Sequence, residues 1–546
     1  MRVAAVCVLA ALGAACGTVG TPAASDESDT PVSIWETRSP SAAFTVSGTL
    51  VSPAAGSRVR GVIKLAARAR ADQRVGWVDF LVDGVVVASD SARPYRAWWD
   101  SSVIPAGSHD LTVAVWDAWG RRSLSDPVRV KTDGVRRHEV SAKGRSLASA
   151  IAALGSNGGT VYLPEGTWSA ANVKIGSNVH LFGSGPKTVI RAPEGSNYGS
   201  ILSISGRDVS IHDLVVDGNG GAQSEGSGWA VEVHGTSADV LLSQLRIVDV
   251  HVAGVYLWGQ HRRVSLQDSF IDGARRAGSG VHDQITDFKS GDTSVLRSKI
   301  QHVRDHGIAF FPWTPEKRYP GPRALAYGNT ILDVTNPDTN NGTNEGGIWS
   351  GGHDALLIDN VIDGTGWTAI ETFGNARRNR ILDNKLRNSG VGVYVEHETY
   401  DTLIQGNDIR KVSKVGIAVE WWYGGGGSKR ITMRENRISG AGSNGIFVDV
   451  GSTHNVIENN TILDSGDDAI ELQGSSSNLV RNNDLRDTAP RRTQDYCVRE
   501  DNGRWDDGAL ATPDRNTITS NDCRGSRKGS VRKLGAATTA EDNRWP

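Results

Sequence analysis

Between Asn329 and Leu485 the chain places an Asn two residues before an aliphatic side chain seven times: Asn329-Thr-Ile331, Asn360-Val-Ile362, Asn384-Lys-Leu386, Asn407-Asp-Ile409, Asn436-Arg-Ile438, Asn460-Thr-Ile462 and Asn483-Asp-Leu485. A second series marks the same coils. Small residues that open an apolar, alternating strand recur at Gly254, Gly280, Gly307, Gly347, Ala369, Gly392, Gly416, Gly445 and Ala469, and seven of the eight steps are 22 to 29 residues long. A period in this range marks a solenoid of stacked units. Asn side chains repeated in register hydrogen-bond from rung to rung at the turns of β-helical folds. The expected architecture is therefore a stack of β-coils, with little room for a single compact core.

The start of this region fits the reading. Ser146-Leu-Ala-Ser-Ala-Ile-Ala-Ala-Leu154 suits an amphipathic helix, and Gly158-Gly-Thr-Val-Tyr-Leu-Pro-Glu-Gly-Thr167 follows it. Together they resemble the opening of the pectate-lyase-like right-handed parallel β-helices, where a helix covers the otherwise open edges of the first coil. The resemblance covers residues 138–546 and implies an all-β, right-handed parallel β-helix. Before it, residues 43–132 read as short strands separated by turn signals such as Asp83-Gly84 and Ala106-Gly107, the pattern of an antiparallel sandwich. The segments VDFLVDGVVVASDSARPYRAWWD and GSHDLTVAVWDAWG resemble bacterial immunoglobulin-like domains, which implies a spacer or a weak binding module.

Arg2, the apolar run Val3 to Leu12 and Gly13-Ala14-Ala15 lead to Cys16. The apolar part is too short for a membrane span and reads as a signal peptide over residues 1–16, followed by a flexible linker over 17–42. Its end resembles a bacterial lipoprotein signal with Cys16 lipidated; cleavage and release is the alternative. A secreted or extracytoplasmic protein is expected, with a membrane tether if Cys16 carries lipid. In an oxidising compartment Cys497 and Cys523 remain as a pair for a disulfide, a two-Cys metal site being the alternative. With 59 Lys and Arg against 61 Asp and Glu, the net charge of -2 gives no long-range attraction for nucleic acid. The 64 glycines lack a Gly-X-Y period, which excludes collagen. A monomer is expected.

Side chains alternate along a strand, so the aliphatic residue after each opening Gly or Ala points inward and the next points out. The outward pairs are Tyr256/Trp258, His282/Gln284, Ala309/Phe311, Trp349/Gly351, Glu371/Phe373, Tyr394/Glu396, Ala418/Glu420, Phe447/Asp449 and Glu471/Gln473. One face thus has an aromatic half and an acidic half. Glu396, Glu420 and Asp449 share one slot on successive coils about 4.8 Å apart. Carboxylates so crowded raise one another's pKa, which separates a protonated acid from an ionised partner. These three are the candidate catalytic residues.

Three chemistries fit this pattern. In a glycoside hydrolase, two of the carboxyls act as general acid and as nucleophile or base, and no cofactor is needed. In a polysaccharide lyase or uronate epimerase, a base removes the proton beside a uronate carboxylate. Tyr394, His397 and Lys414 lie close enough in sequence to serve there, and the acids would hold Ca²⁺ in a lyase. The third is a glycan-binding or structural β-helix. Hydrolysis is favoured, because the outward slots beside the acids contain no Lys or Arg and the Asp-Pro-His motif of alginate epimerases is absent; His282-Asp283 is a faint echo of it. No metal-ligand set stands out. Asp467-Asp468 resembles the Asp pair of polygalacturonase-like hydrolases, although the other motifs of that family are missing. Polysaccharide contacts are expected from Tyr256, Trp258, His282, Phe311, Trp313, Trp349, Glu371, Phe373, Tyr394, Trp422, Tyr423 and Glu471, since aromatic rings offer apolar area and π faces to sugar C–H surfaces. The long step from Gly307 to Gly347 reads as a loop on this face.

Overall fold

A computed structural model of the chain describes residues 45–545, apart from 73, 102–103, 134–138, 142–143, 224–227, 275–279, 286–290, 313–322, 336–344 and 422–425. The signal and linker segments with Cys16, and also Trp313, Trp422 and Tyr423, lie outside the described residues, and only the backbone of His282 is described.

The chain is a right-handed parallel β-helix of the pectate-lyase-like kind, preceded by an immunoglobulin-like β-sandwich. One sheet of the helix holds fourteen parallel strands, from Val173–Ile175 to Gly529–Arg532; it is called the face sheet below. The remaining strands of each coil form a second, 26-stranded sheet running from Glu139–Ser141 to Thr539–Glu541. Inward residues stack coil upon coil: Ile348, Ile370, Val393, Ile417, Ile446 and Ile470 are paired in sequence and fully buried in one continuous core. Leu147–Ala152 forms the capping helix, with Ser146 Oγ accepting from the Ser149 amide and Leu147 and Ala150 buried against the first coils.

The two sequence repeats turn out to be halves of one contact. A Cβ on Gly416 would lie 2.6 Å from Ile438 Cγ2 and 2.5 Å from the Gly445 carbonyl. The coil is too narrow at Gly416 for a side chain, and the aliphatic residue of the Asn triplet fills the space. The Asn residues hold the adjacent corner. Asn407 Nδ2 donates to the Ile381 carbonyl and to Asn436 Oδ1, both at 2.9 Å, while its Oδ1 accepts from Asn384 N at 3.0 Å and Asn384 Nδ2 at 2.9 Å. The ladder continues to Asn521 and Asn543, and serines take the position upstream at Ser298 and Ser269. Every buried amide in it is thereby satisfied along the stack.

The sandwich has a three-stranded sheet of Val46–Ser52, Val62–Ala71 and Arg96–Asp100, facing a sheet that includes Val75–Val82, Val85–Asp90 and Gly107–Asp117 around its own core. It is docked onto the helix. Trp77, with Trp116 and Trp119, packs onto Leu325, Leu356, Leu382 and Leu403, which point outward from the second sheet of the helix. Arg380 Nη1 donates to the Ala118 carbonyl at 2.6 Å, and its guanidinium lies over the Trp119 ring. Near the other end, Cys497 and Cys523 form a disulfide with their Cα atoms 5.2 Å apart.

Candidate functional site

The face sheet carries two rows of residues in strand register. Tyr256, His282, Ala309, Trp349, Glu371, Tyr394, Ala418, Phe447 and Glu471 follow one another in strand register. The same row then continues with Arg499 and Arg532. In the second row Trp258, Gln284 and Phe311 pair directly. Farther along, Glu396, Glu420 and Asp449 end three successive strands, their amides bonded to Thr372, Val395 and Val419 of the preceding coils at 2.8–2.9 Å.

Arg499 corrects the expectation that no basic residue stands beside the acids. It was hidden because its coil opens with Cys497, where the others have Gly or Ala. Arg499 Nη2 lies 2.8 Å from Glu471 Oε1 and its Nε 2.7 Å from Asp468 Oδ2, with Asp467 at 3.6 Å. Asn444 Nδ2 donates to Glu471 Oε2 at 2.7 Å. Glu471 is thus committed to an ion-pair cluster. The Asp467-Asp468 doublet is anchored in the same cluster, where Asp468 is fully buried and accepts from the Tyr496 amide.

The remaining acids form a graded set. Glu371 accepts from Trp349 Nε1 at 2.6 Å and Thr368 Oγ1 at 3.3 Å; burial, then the neighbouring Glu396, hold it well above the ordinary carboxyl range. Glu396 Oε1 lies 3.1 Å from His397 Nδ1. Tyr394 donates its hydroxyl to Glu420 Oε2 at 2.9 Å. Burial and then the charge of Asp449 push Glu420 up to about 7, although the Tyr394 hydrogen bond pulls the other way. Asp449 rises to about 6, chiefly through burial, against a hydrogen bond from the Val450 amide. At neutral pH this is a proton donor beside a mainly ionised carboxylate. Tyr394 itself is held far above its usual range by burial and the surrounding acids, so its phenolate is out of reach as a base. Lys414 lies 4.0 Å over the Trp367 ring, where burial lowers its pKa.

The aromatic half departs from the expected sugar platform. Coils repeat at nearly the spacing of stacked rings, so adjacent outward rings cover one another. Trp349 has Phe373 at 4.5 Å, His306 at 4.7 Å and Phe311 at 4.8 Å, all near parallel. Tyr256 stacks on Trp229 at 4.1 Å. Part of the ring surface in this half is thus taken up by neighbouring rings. Trp258 is 40% exposed, and its Nε1 donates to Glu232 Oε1.

Both oxygens of Glu371 accept, from Trp349 and Thr368, and Glu420 Oε2 accepts from Tyr394. Among the described residues no three His, Cys, Asp or Glu side chains gather as a metal site.

Comparison with known proteins divides the chain in two. Residues 47–113 match the bacterial Ig domain model, and residues 325–545, which include the acidic half of the face, match the model of the periplasmic copper-binding protein NosD. Mannuronan C5-epimerase AlgE2 of Azotobacter vinelandii is 28% identical over 222 residues, 37% of this chain and 21% of that protein. The chain therefore spans about a fifth of the length of this curated relative. Among solved structures, the A-module of Azotobacter vinelandii mannuronan C-5 epimerase AlgE6 aligns with 74% of this chain and 99% of its own at 17% identity and a TM-score of 0.44. A PL6 alginate lyase bound to a trisaccharide aligns with 74% of this chain and 88% of its own at 13% identity and a TM-score of 0.47.

Proposed function

We propose that this chain is a monomeric, extracytoplasmic enzyme that hydrolyses glycosidic bonds of a polysaccharide, tethered to the membrane through Cys16. Glu420 is the general acid and Asp449 the nucleophile or water-activating base. The observation that carries this reading is the pairing itself: a half-buried carboxyl bonded to the Tyr394 hydroxyl, one coil from an acid that ionises more readily. Glu420 protonates the glycosidic oxygen as its bond to the anomeric carbon breaks; Asp449 either takes a proton from the water that attacks that carbon, or attacks it directly, in which case water deprotonated by Glu420 then displaces Asp449 and frees the sugar. Neighbouring coils about 4.8 Å apart favour the shorter, retaining spacing. Glu396 and Glu371 complete the acidic wall, and the charge of Asp449 favours a neutral glycan over a polyuronate, which it would repel.

The relation to mannuronan C5-epimerases supports a second reading, uronate epimerisation or a Ca²⁺-dependent lyase reaction. Two features weigh against it. The Tyr394 hydroxyl stays protonated, and the Arg499 guanidinium is already paired with acids. The full chain should be incubated with neutral α- and β-glucans and with alginate, and new reducing ends, ultraviolet absorbance of unsaturated uronates and uronate composition measured together. Hydrolysis gives reducing ends alone. Absorbance or a changed uronate ratio establishes the second reading, and a glycan that is retained unaltered makes the chain a binding module.

A further inference from the structure

Beyond the strand that carries Arg499, the chain makes a short antiparallel hairpin in which Gly503 pairs with Ala511 and Arg504 with Leu510. Its base is fixed to the solenoid. A Cβ on Gly474 would lie 2.9 Å from Ala511 Cβ, and one on Gly503 would lie 2.2 Å from Val450 Cγ2. Its turn is closed by Trp505 N donating to the Ala509 carbonyl at 3.0 Å and Gly508 N donating to the Trp505 carbonyl at 2.9 Å. The hairpin therefore holds Trp505 in place, folded back along the helix axis over coils that precede it in sequence.

Trp505 comes to rest beside the acid rungs. A Cβ on Gly451, two residues past Asp449, would sit 2.4 Å from Trp505 Cη2, and Gly451 has a φ of +72°. The indole then meets Trp421, the residue after Glu420, with ring centroids 5.4 Å apart and planes at 62°. Both rings are half-buried. In an edge-to-face contact the ring that gives its edge keeps both faces clear of its partner. The stacked rings around Trp349 have no such freedom.

We propose that Trp421 and Trp505 form an aromatic subsite for a pyranose ring of the polysaccharide, at the border of the Glu420 and Asp449 rungs, and that the hairpin sets the chain length the site prefers. The proposal rests on reading the face as a polysaccharide site. A glycan lying across the rungs meets an indole face where it passes their edge, and C–H groups of the sugar ring bury apolar area there. A short glycan that fills only the acid rungs does not reach it.

The test uses the full chain, with disaccharide and hexasaccharide of α-1,3-glucan and of mannuronan as probes, and reads binding by calorimetry and tryptophan fluorescence. Trp505→Ala should raise the hexasaccharide Kd about tenfold, equal to about 1.4 kcal/mol, and shift the disaccharide Kd less than twofold. Trp505→Phe, which keeps a ring on the hairpin, should recover most of the affinity. Gly451→Ala should act like Trp505→Ala, because the added methyl evicts the indole. Equal effects on both lengths, a hexasaccharide Kd within twofold of the parent, or no binding of either hexasaccharide by the parent overturns the proposal. Turnover by Glu420→Gln separates the two readings. If Trp505→Ala loses the long-chain preference while Glu420→Gln turns over normally, the subsite stands and the acid–base assignment falls. If Glu420→Gln is inactive and Trp505→Ala binds both lengths normally, the reverse holds.

Discussion

Replacing Tyr394 by Phe tests how the protein sets the protonation of Glu420. The change removes one hydroxyl and leaves the ring. That hydroxyl donates to Glu420 Oε2 at 2.9 Å and favours the ionised form of the carboxyl, opposing the burial that pushes its pKa up to about 7. A hydrogen bond to a charged group contributes about 1.5–3 kcal/mol, and one pKa unit corresponds to about 1.4 kcal/mol. Loss of the bond should therefore raise the Glu420 pKa by about one to two pH units. The general acid must be protonated, so the alkaline limb of the pH dependence of kcat/KM should move upward by that amount. The acidic limb, which belongs to Asp449, should move little. The same shift should appear in a titration of the ¹³C-labelled Glu420 carboxyl, which does not depend on turnover. A limb and a carboxyl resonance that stay within about 0.3 pH unit of the parent, or that move downward, would refute the account, since about one unit is expected from the lost bond.

Three further outcomes follow from the fold. Asn407→Ala strips partners from the Asn384 amide and the Ile381 carbonyl inside the ladder; at about 1–3 kcal/mol per orphaned group it should cost about 2–6 kcal/mol, read as a lower denaturation midpoint of the helix. Trp77→Ala empties the centre of the contact between sandwich and helix, where the indole is fully buried; the sandwich should undock, raising the radius of gyration in solution scattering while each domain keeps its own core, and an unchanged profile counts against the docked arrangement. Glu420, Asp449 and Asp468 all have pKa values raised by burial to about 6–7. Their contribution to stability is thus fully present below the ordinary carboxyl range and lost as pH rises through those values. The melting temperature should be higher at pH 5 than at pH 8, and Glu420→Gln should flatten the difference, which for this one group is at most about 3 kcal/mol.

The register of the face was legible because two simple constraints coincide. The strand alternates strictly, and a coil corner that takes Gly or Ala marks where each strand begins, so Glu396, Glu420 and Asp449 could be aligned from the sequence. The same logic failed at Arg499, where Cys497 takes the corner and the glycine signal disappears. Alternation also gives the direction of a side chain and says nothing about ring tilt, which is why the stacking of Trp349 against Phe311 and Phe373 could not be read from the sequence. Outward leucines such as Leu356 and Leu403 look like core residues in a sequence, and only the structure assigns them to the surface that receives Trp77. Trp505 gave no periodic signal at all, because it stands on an insertion between coils.

The measurement that tests the central claim most directly compares the parent chain with Glu420→Gln on the polysaccharide identified by the panel, following reducing ends and bound glycan together. General acid catalysis contributes about 10²- to 10⁴-fold. The account predicts that Glu420→Gln loses at least a hundredfold in kcat while still binding the glycan; turnover within twofold of the parent would contradict it.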